Sequence, residues 1–323
     1  MARILCAIFI TLLLSTGTLA QPWPDRPVKI IVGFPAGGGS DAMARVLADR
    51  LGDALGQRFI VENRPGAGGM IGAEAVARSA ADGYTLLVSS PAEIVINQNV
   101  YKRVAYDALQ DLAPITLIGW TPLIIAVHPD LKVSSPAELV ALLRSKPGHL
   151  NYSTPGAGSG HHLAGEYLKK VASVEMQHVA YRGAAPAVQD AVAGHVPISI
   201  SGLPPVVELI KADKLRAVAV TSAKRSVLFP NTVALAELGP EYKDFDITNW
   251  FGFFAPAGVP EDIRKRLNQT AVAALNEPAV IARVAEQGAE AVGNSPEQFA
   301  AFIRAEAEKY ARIAKATGVN ANQ

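Results

Sequence analysis

A single cysteine, Cys6, occurs in 323 residues, and it lies in an apolar stretch near the start of the chain. If that stretch is a removed leader, the mature protein has no disulfide, no thiol nucleophile and no cysteine-ligated metal. Charge of one sign is equally scarce: 30 basic side chains face 29 acidic ones, and loss of Arg3 with residues 1–20 leaves 29 of each. Such a balance gives no basic surface for nucleic acid, so any anion preference must come from local geometry. Long hydrophobic runs are missing too, since the longest, from Ile4 to Leu14, crosses only about half of a roughly 30 Å hydrocarbon core. Preceded by Arg3 and followed by Ser15 to Ala20, it reads as a secretory signal peptide with cleavage near Ala20. Cys6 is not at that cleavage point, which excludes a lipid-anchored cysteine. Neither an H-x-x-x-H pair nor an acidic cluster is present to hold zinc.

What remains is about 300 residues, rich in glycine and proline and half hydrophobic, a size that suits two α/β lobes. Short β-rich runs at Val28 to Gly33, Phe59 to Val61 and Thr85 to Ser89 alternate with helical patterns at Ala42 to Leu55 and Ile71 to Ala80. That alternation predicts a parallel sheet covered by helices. A second series follows, with strands expected at 124–127, 151–153, 177–180, 196–201 and 215–220. One helix between them starts at Ser135-Pro136-Ala137-Glu138, a capping box with proline at the first helical position. The segment after Trp250 has one strand-like run, Phe251 to Ala255, and then helical sequence to near Thr317, too little to fold alone. The tail is therefore expected to return to the first lobe, with the chain crossing between lobes twice, near 118–125 and 244–254. The division is signal peptide 1–20, first lobe 21–122 with 248–323, and second lobe 123–247, and the two crossings form a hinge beside a cleft.

Two segments share one design: Gly33 to Arg45 (GFPAGGGSDAMAR) and Tyr152 to Glu166 (YSTPGAGSGHHLAGE). Each leaves a strand, passes through proline and glycines, offers a serine and opens a helix. Glycines allow close approach of a ligand. The first helical turn has unpaired N–H groups and about half a positive charge, so each unit is a cradle for a carboxylate or phosphate. Other chemistry is thinly supported. Gly37, Gly39 and Ala42 with Glu62 satisfy a dinucleotide fingerprint, which conflicts with export and leaves the second cradle unexplained. Ser40 and Ser159 depart from the G-x-S-x-G nucleophile elbow and fit better as helix caps or ligand donors. His161 and His162, adjacent on a helix, point about 100° apart and cannot share a metal well. Tyr181 and Arg182, the run from Glu62 to Gly69, and Ser89-Ser90 end strands at the edge where ligands of α/β sheets collect.

The segments Phe34 to Asp41, Val61 to Gly69, Ala81 to Leu87, Ala219 to Ser226, Trp250 to Pro260 and Gln287 to Glu306 together resemble the Bug receptors, the extracytoplasmic solute-binding proteins of tripartite tricarboxylate transporters. The resemblance runs in order through essentially the whole mature chain. It implies an α/β type II periplasmic-binding-protein fold, two Rossmann-like lobes closing over a small di- or tricarboxylate or aromatic acid. By that resemblance the ligand-binding positions are Phe34, Pro35, Ala36, Gly37, Gly38, Gly39 and Ser40 on one side. Thr154, Pro155, Gly156, Gly158 and Ser159 are the matching loop on the other. Ser90, His161, Tyr181 and Ser201 complete the candidates. No catalytic residue, cofactor or metal is expected. The implied partners are an inner-membrane permease, with a sensor kinase as the alternative, and the implied state is a periplasmic monomer. A departure from relatives is the stretch Ser199 to Pro205, which lacks their acidic residue and argues against an amino-acid ligand.

Overall fold

The computed structural model describes residues 23–227 and 229–321. The expected signal peptide, its cleavage site and Cys6 lie outside the described residues. Ten strands are present among those described: β1 (Val28–Val32), β2 (Phe59–Asn63), β3 (Thr85–Ser89), β4 (Leu112–Val127), β5 (Asn151–Thr154), β6 (Gln177–Ala180), β7 (Ile198–Gly202), β8 (Arg216–Val220), β9 (Thr248–Pro256) and β10 (Glu290–Ala291). They form one continuous path, β2-β1-β3-β9-β4-β7-β5-β6, with β8 and β10 also paired to β4. The helices in chain order are α1 (Gly39–Leu55), α2 (Met70–Ala77), α3 (Asn97–Val100), α4 (Ala108–Asp111), α5 (Pro136–Ser145), α6 (Gly160–Ala172), α7 (Ala184–Val192), α8 (Pro204–Lys211), α9 (Glu261–Leu275), α10 (Pro278–Glu286) and α11 (Pro296–Thr317).

Parallel pairing holds where strand and helix alternate: β1 with β2 and β3, and β5 with β6 and β7. It fails at β4 and β9, which run antiparallel to each other and to β3, β7 and β8. These two strands contain most of the segments expected to cross between lobes, 118–125 and 244–254. Strand β4 pairs with β9 from Leu112 to Pro122 and then, from Leu123 to Val127, with β7 and β8. One 16-residue strand thus serves two sheet regions, where sequence patterning gave a strand only from residue 124. Thr221 links the two crossings: its N–H donates to the Leu123 carbonyl at 3.0 Å, its hydroxyl donates to the Ile247 carbonyl, and its own carbonyl accepts from Ile247 N–H at 2.9 Å.

Local chemistry explains the helices that place the site. Helix α1 buries Met43, Val46, Leu47 and Leu51, spaced three and four apart, against β1 and β3, at about 1.5–3 kcal/mol each. It stops at Gly56, whose left-handed backbone lets its N–H reach the Gly52 carbonyl. Helix α6 starts at Ser159, whose hydroxyl accepts from His162 N–H. At α5, Ser135 accepts from Glu138 N–H as the sequence implies, but the Glu138 carboxylate bonds Ser134 instead of Ser135. Helix α11, opened by a Ser295/Gln298 capping box, returns along the second crossing. There Tyr310 donates to Thr248 O at 2.9 Å, and Glu306 accepts from Trp250 Nε1 at 2.9 Å while pairing with Lys309.

Candidate functional site

The first cradle leaves β1 at Gly33 and enters α1. Its backbone is held from behind by Asp41, which accepts from Gly37 N–H at 3.0 Å, from Arg45 through both oxygens, and from Asn63 Nδ2 at 3.0 Å. Burial works to raise the Asp41 pKa, but the Arg45, Gly37 and Asn63 donors outweigh it and hold the carboxyl below its ordinary range. Asn63 also donates to Phe34 O, so the end of β2 fixes the start of the cradle. Gly37 needs its positive φ of 83°, and Gly39 lies so close to the Phe251 ring that a Cβ would sit 2.7 Å from it. Pro35 to Gly38 are exposed, Phe34 and Gly39 half-buried and Ser40 buried. The Gly37 N–H is thus taken, whereas Gly39, Ser40 and Asp41 occupy the first helical turn, where N–H groups have no acceptor four residues back.

The second cradle rests on a histidine pair. His162 Nδ1 accepts from Gly158 N–H at 3.1 Å, and its ring stacks on His178 with centroids 3.8 Å apart. His178 Nε2 lies 2.7 Å from Thr154 Oγ1, and Ser159 Oγ donates to Gly156 O at 2.7 Å. Burial depresses both imidazoles, His162 to about 4 and His178 to about 3, so both rings are neutral near pH 7. Tyr181 N–H donates to Thr154 O. The Tyr181 hydroxyl is engaged by Asp190, and burial together with that carboxylate pushes the phenol up to about 12. Arg182 is exposed.

The segment from Ser90 to Tyr101 packs against Gly33, where the chain leaves β1, and against the second cradle. Gly33, preceding the first cradle, lies against Glu93 Oε1, and Gly69 lies against the same side chain. Gly158 of the second cradle lies against Tyr101, Val100 and Ala321, and Gly160 against Ile96 and Tyr310. The second cradle therefore packs directly on the turn and helix that follow β3, with the C-terminal residues beside it.

Buried polar atoms without a hydrogen-bond partner are uncommon in native proteins. Among the described residues such atoms include Glu93 Oε1 and Asn97 Oδ1 within this segment, His161 Nδ1 next to Gly160, and Ser201 Oγ at the end of β7. His161, lowered to about 4 by burial, and Ser201, at the end of β7, were expected from sequence; Glu93 and Asn97 were not. The available signal was an acid and an amide inside the otherwise apolar run Ala92-Glu93-Ile94-Val95-Ile96-Asn97. Two cavities are present among the described residues: one of about 280 Å³ near Pro122 and Gly288, and one of about 440 Å³ between Asn99–Lys102 and the end of α11.

The alternative chemistries find little in this geometry. Ser40 makes no hydrogen bond to a histidine, and Glu62 is engaged by Arg64 and Lys29. Among the described residues no group of three histidine, cysteine or acidic side chains is placed to hold a metal ion, and no helix is long and apolar enough to cross a membrane.

Residues 43–319 match the family described as tripartite tricarboxylate transporter family receptor. Over 324 aligned residues the chain is 39% identical to Protein BugT of Bordetella pertussis (strain Tohama I), covering 98% of each. An R. palustris protein solved with adipate superposes with a TM-score of 0.86 at 35% identity, covering 92% of this chain and 99% of its own. The periplasmic binding protein BugD superposes with a TM-score of 0.83 at 31% identity, again covering 92% and 99%. These likenesses carry the type II periplasmic-binding-protein fold, and the family is one of binding proteins, which sets aside the hydrolase and oxidoreductase readings. The chain belongs to the tripartite tricarboxylate transporter receptor family.

Proposed function

We propose that this chain is a periplasmic solute-binding receptor, exported after cleavage near Ala20, that captures a small carboxylate between the two cradles and delivers it to a tricarboxylate-type membrane permease. The lobes divide at the change of partners in β4, as 21–122 with 248–323 and 123–247. The reading is supported by the packing of the Ser90 to Tyr101 segment, with its unpartnered Glu93 and Asn97 oxygens, against Gly33 at the start of the first cradle and against Gly158 and Gly160 at the second helix N-terminus. Neither glycine turn, 34–40 or 154–159, holds a lysine or arginine, and Arg45 is engaged by Asp41, so neutral donors grip the ligand. A charge-assisted hydrogen bond contributes roughly 1.5–3 kcal/mol net and a helix terminus roughly 0.3–1 more. A few per carboxylate reach micromolar affinity after the losses of association.

The donors are Gly38, Gly39 and Ser40 in the first cradle and Ala157, Ser159 and His161 in the second, because the Gly37 and Gly158 N–H groups are committed to Asp41 and His162. Contacts spanning both lobes, such as Gly158 on Tyr101, favour the closed form, whose composite surface is what a permease would recognise. A relative solved with adipate and the R. palustris MatC solved with malate, the latter 27% identical with a TM-score of 0.81, support a di-acid of that size. A thermal-shift screen over mono-, di- and tricarboxylates, followed by calorimetry, tests the reading, since a bound ligand raises stability with the logarithm of its excess over Kd. Saturable one-to-one binding without turnover is expected; no shift with any carboxylate refutes it.

A further inference from the structure

Glu93 is the most deeply buried acid of the described chain, 2% exposed, on a π-helical turn (Ala92–Ile96) directly after β3. Its two oxygens are in different positions. Oε2 accepts from Ser90 twice, from N–H at 3.1 Å and from the hydroxyl at 2.6 Å. Oε1 has no partner. It lies beside Gly33, where a Cβ would stand 3.0 Å from it, and Gly69 is held to glycine by the same side chain, since a Cβ there would be 2.5 Å from Glu93 Cγ. The carboxyl therefore fills the space between Gly33, at the end of β1, and Gly69, in the loop after β2.

The ionisable groups on the elements packed around this turn leave Glu93 without a counter-charge. Tyr106 donates to the Glu93 carbonyl, Tyr310 to Thr248 O, and Glu306 is held by Trp250 and Lys309. Glu74 pairs with Arg78, and Asp111 accepts from Asp107 N–H. No lysine or arginine bonds Glu93, so an ionised form would bury an uncompensated charge, and burial pushes its pKa up to about 7. In the neutral acid the proton belongs on Oε1, because Oε2 already accepts from both Ser90 donors. The Ser89 hydroxyl beside this carboxyl donates to Ser90 O, and Oε1 itself has no hydrogen-bond partner among the described residues.

We infer that Glu93 is a specificity residue of the receptor: protonated on Oε1, it donates to a carboxylate oxygen of the ligand at the mouth of the first cradle, selecting an ionised acid over an ammonium-bearing one. The inference rests on the receptor reading above and adds the ligand's chemistry at one point. The proton balance is simple. A ligand carboxylate needs Glu93 neutral, so above neutrality binding draws one proton from solvent onto Oε1; an ammonium group needs Glu93 ionised, and binding would release one.

The test is calorimetry of the mature chain with adipate and with malate, from about pH 6 to about pH 8.5, in two buffers of different ionisation heat. For wild type, affinity should fall by up to about 30-fold across that range, as expected for a group titrating near 7, with net proton uptake on binding. Glu93→Gln keeps the shape and presents an N–H at the Oε1 side. It should bind with no pH dependence over the range and take up no proton. Glu93→Leu should lose affinity at every pH. Circular dichroism confirms that each variant is folded, and loss of a protonated-carboxyl infrared band in Glu93→Gln at about pH 6 gives a readout independent of ligand. Binding that is independent of pH in wild type, or proton release, overturns the inference while leaving the receptor intact. Absence of binding by both probes and by the wider carboxylate panel overturns the receptor reading and this inference with it.

Discussion

Replacing Gly38 with valine separates binding from folding. Gly38 stands at the helix N-cap in extended backbone, φ −85° and ψ 171°, which any residue adopts, and the nearest atom to an added Cβ is Pro35 O at 3.6 Å. The residue is exposed, so the side chain meets no core. Glycine is a better N-cap than valine by about 1 kcal/mol, which in a chain of this size lowers Tm by only roughly 2–4 °C. The new methyls instead cover the N–H groups of Gly38, Gly39 and Ser40. Losing two charge-assisted hydrogen bonds at roughly 1.5–3 kcal/mol each weakens binding by about 3–6 kcal/mol, or roughly 10² to 10⁴-fold. Calorimetry with whichever carboxylate binds wild type, alongside a thermal melt, measures both quantities on one sample. Wild-type affinity in a folded Gly38→Val protein would refute the first cradle as the site.

Gly158→Val should behave differently, losing stability as well as affinity. At φ 71° a Cβ costs about 1–2 kcal/mol, and it would stand 2.9 Å from Ala321 Cβ and 3.2 Å from the Tyr101 ring, so both the melt and the titration should shift. Thr221→Val removes the hydroxyl that links the two crossings and leaves the Ile247 carbonyl without that donor. Urea unfolding should show a loss of about 1–3 kcal/mol, and an unchanged midpoint would mean that β4 and the segment before β9 do not depend on this link. Acid should loosen the second cradle. His162 and His178 are depressed below the ordinary histidine value, so the stability they contribute is complete above pH 6.5 and is lost as pH falls toward about 4. The fall in Tm over that window should be smaller in His178→Gln. At the other end, Glu93 is raised from 4.5 to about 7, so its contribution is complete below 4.5 and is lost as pH rises through 7. Glu93→Gln should flatten that alkaline loss of Tm.

Sequence patterning was enough wherever a property depends on neighbours along the chain. The alternation of β-rich runs with amphipathic helices placed β1 to β3 and β5 to β8 within a few residues, and Ser135 and Ser159 act as caps because capping is a three-residue interaction, whereas Ser40, also expected as a cap, lies inside α1 with Gly38 at the N-cap. Both cradles were visible for the same reason, as strand, proline, glycines and helix in a row. The extent of β4 was not visible. Residues 112–122 carry Pro114, Gly119 and Pro122, and they become a strand only because β9, more than a hundred residues later, returns to pair with them.

Tertiary structure alone decided which donors and acceptors are spare. Gly37 and Gly158 look like ligand donors in sequence, yet Asp41 and His162 fold back onto their N–H groups. Glu93 looks like an interruption of an apolar run. Only the approach of Gly33, Gly69 and Ser90, from three separate stretches of chain, strips it of solvent and leaves one oxygen unpaired. The sequence determines local geometry because backbone preference and capping act over a few residues. Whether a polar atom is left over is settled by everything packed around it, and that is a property of the folded whole.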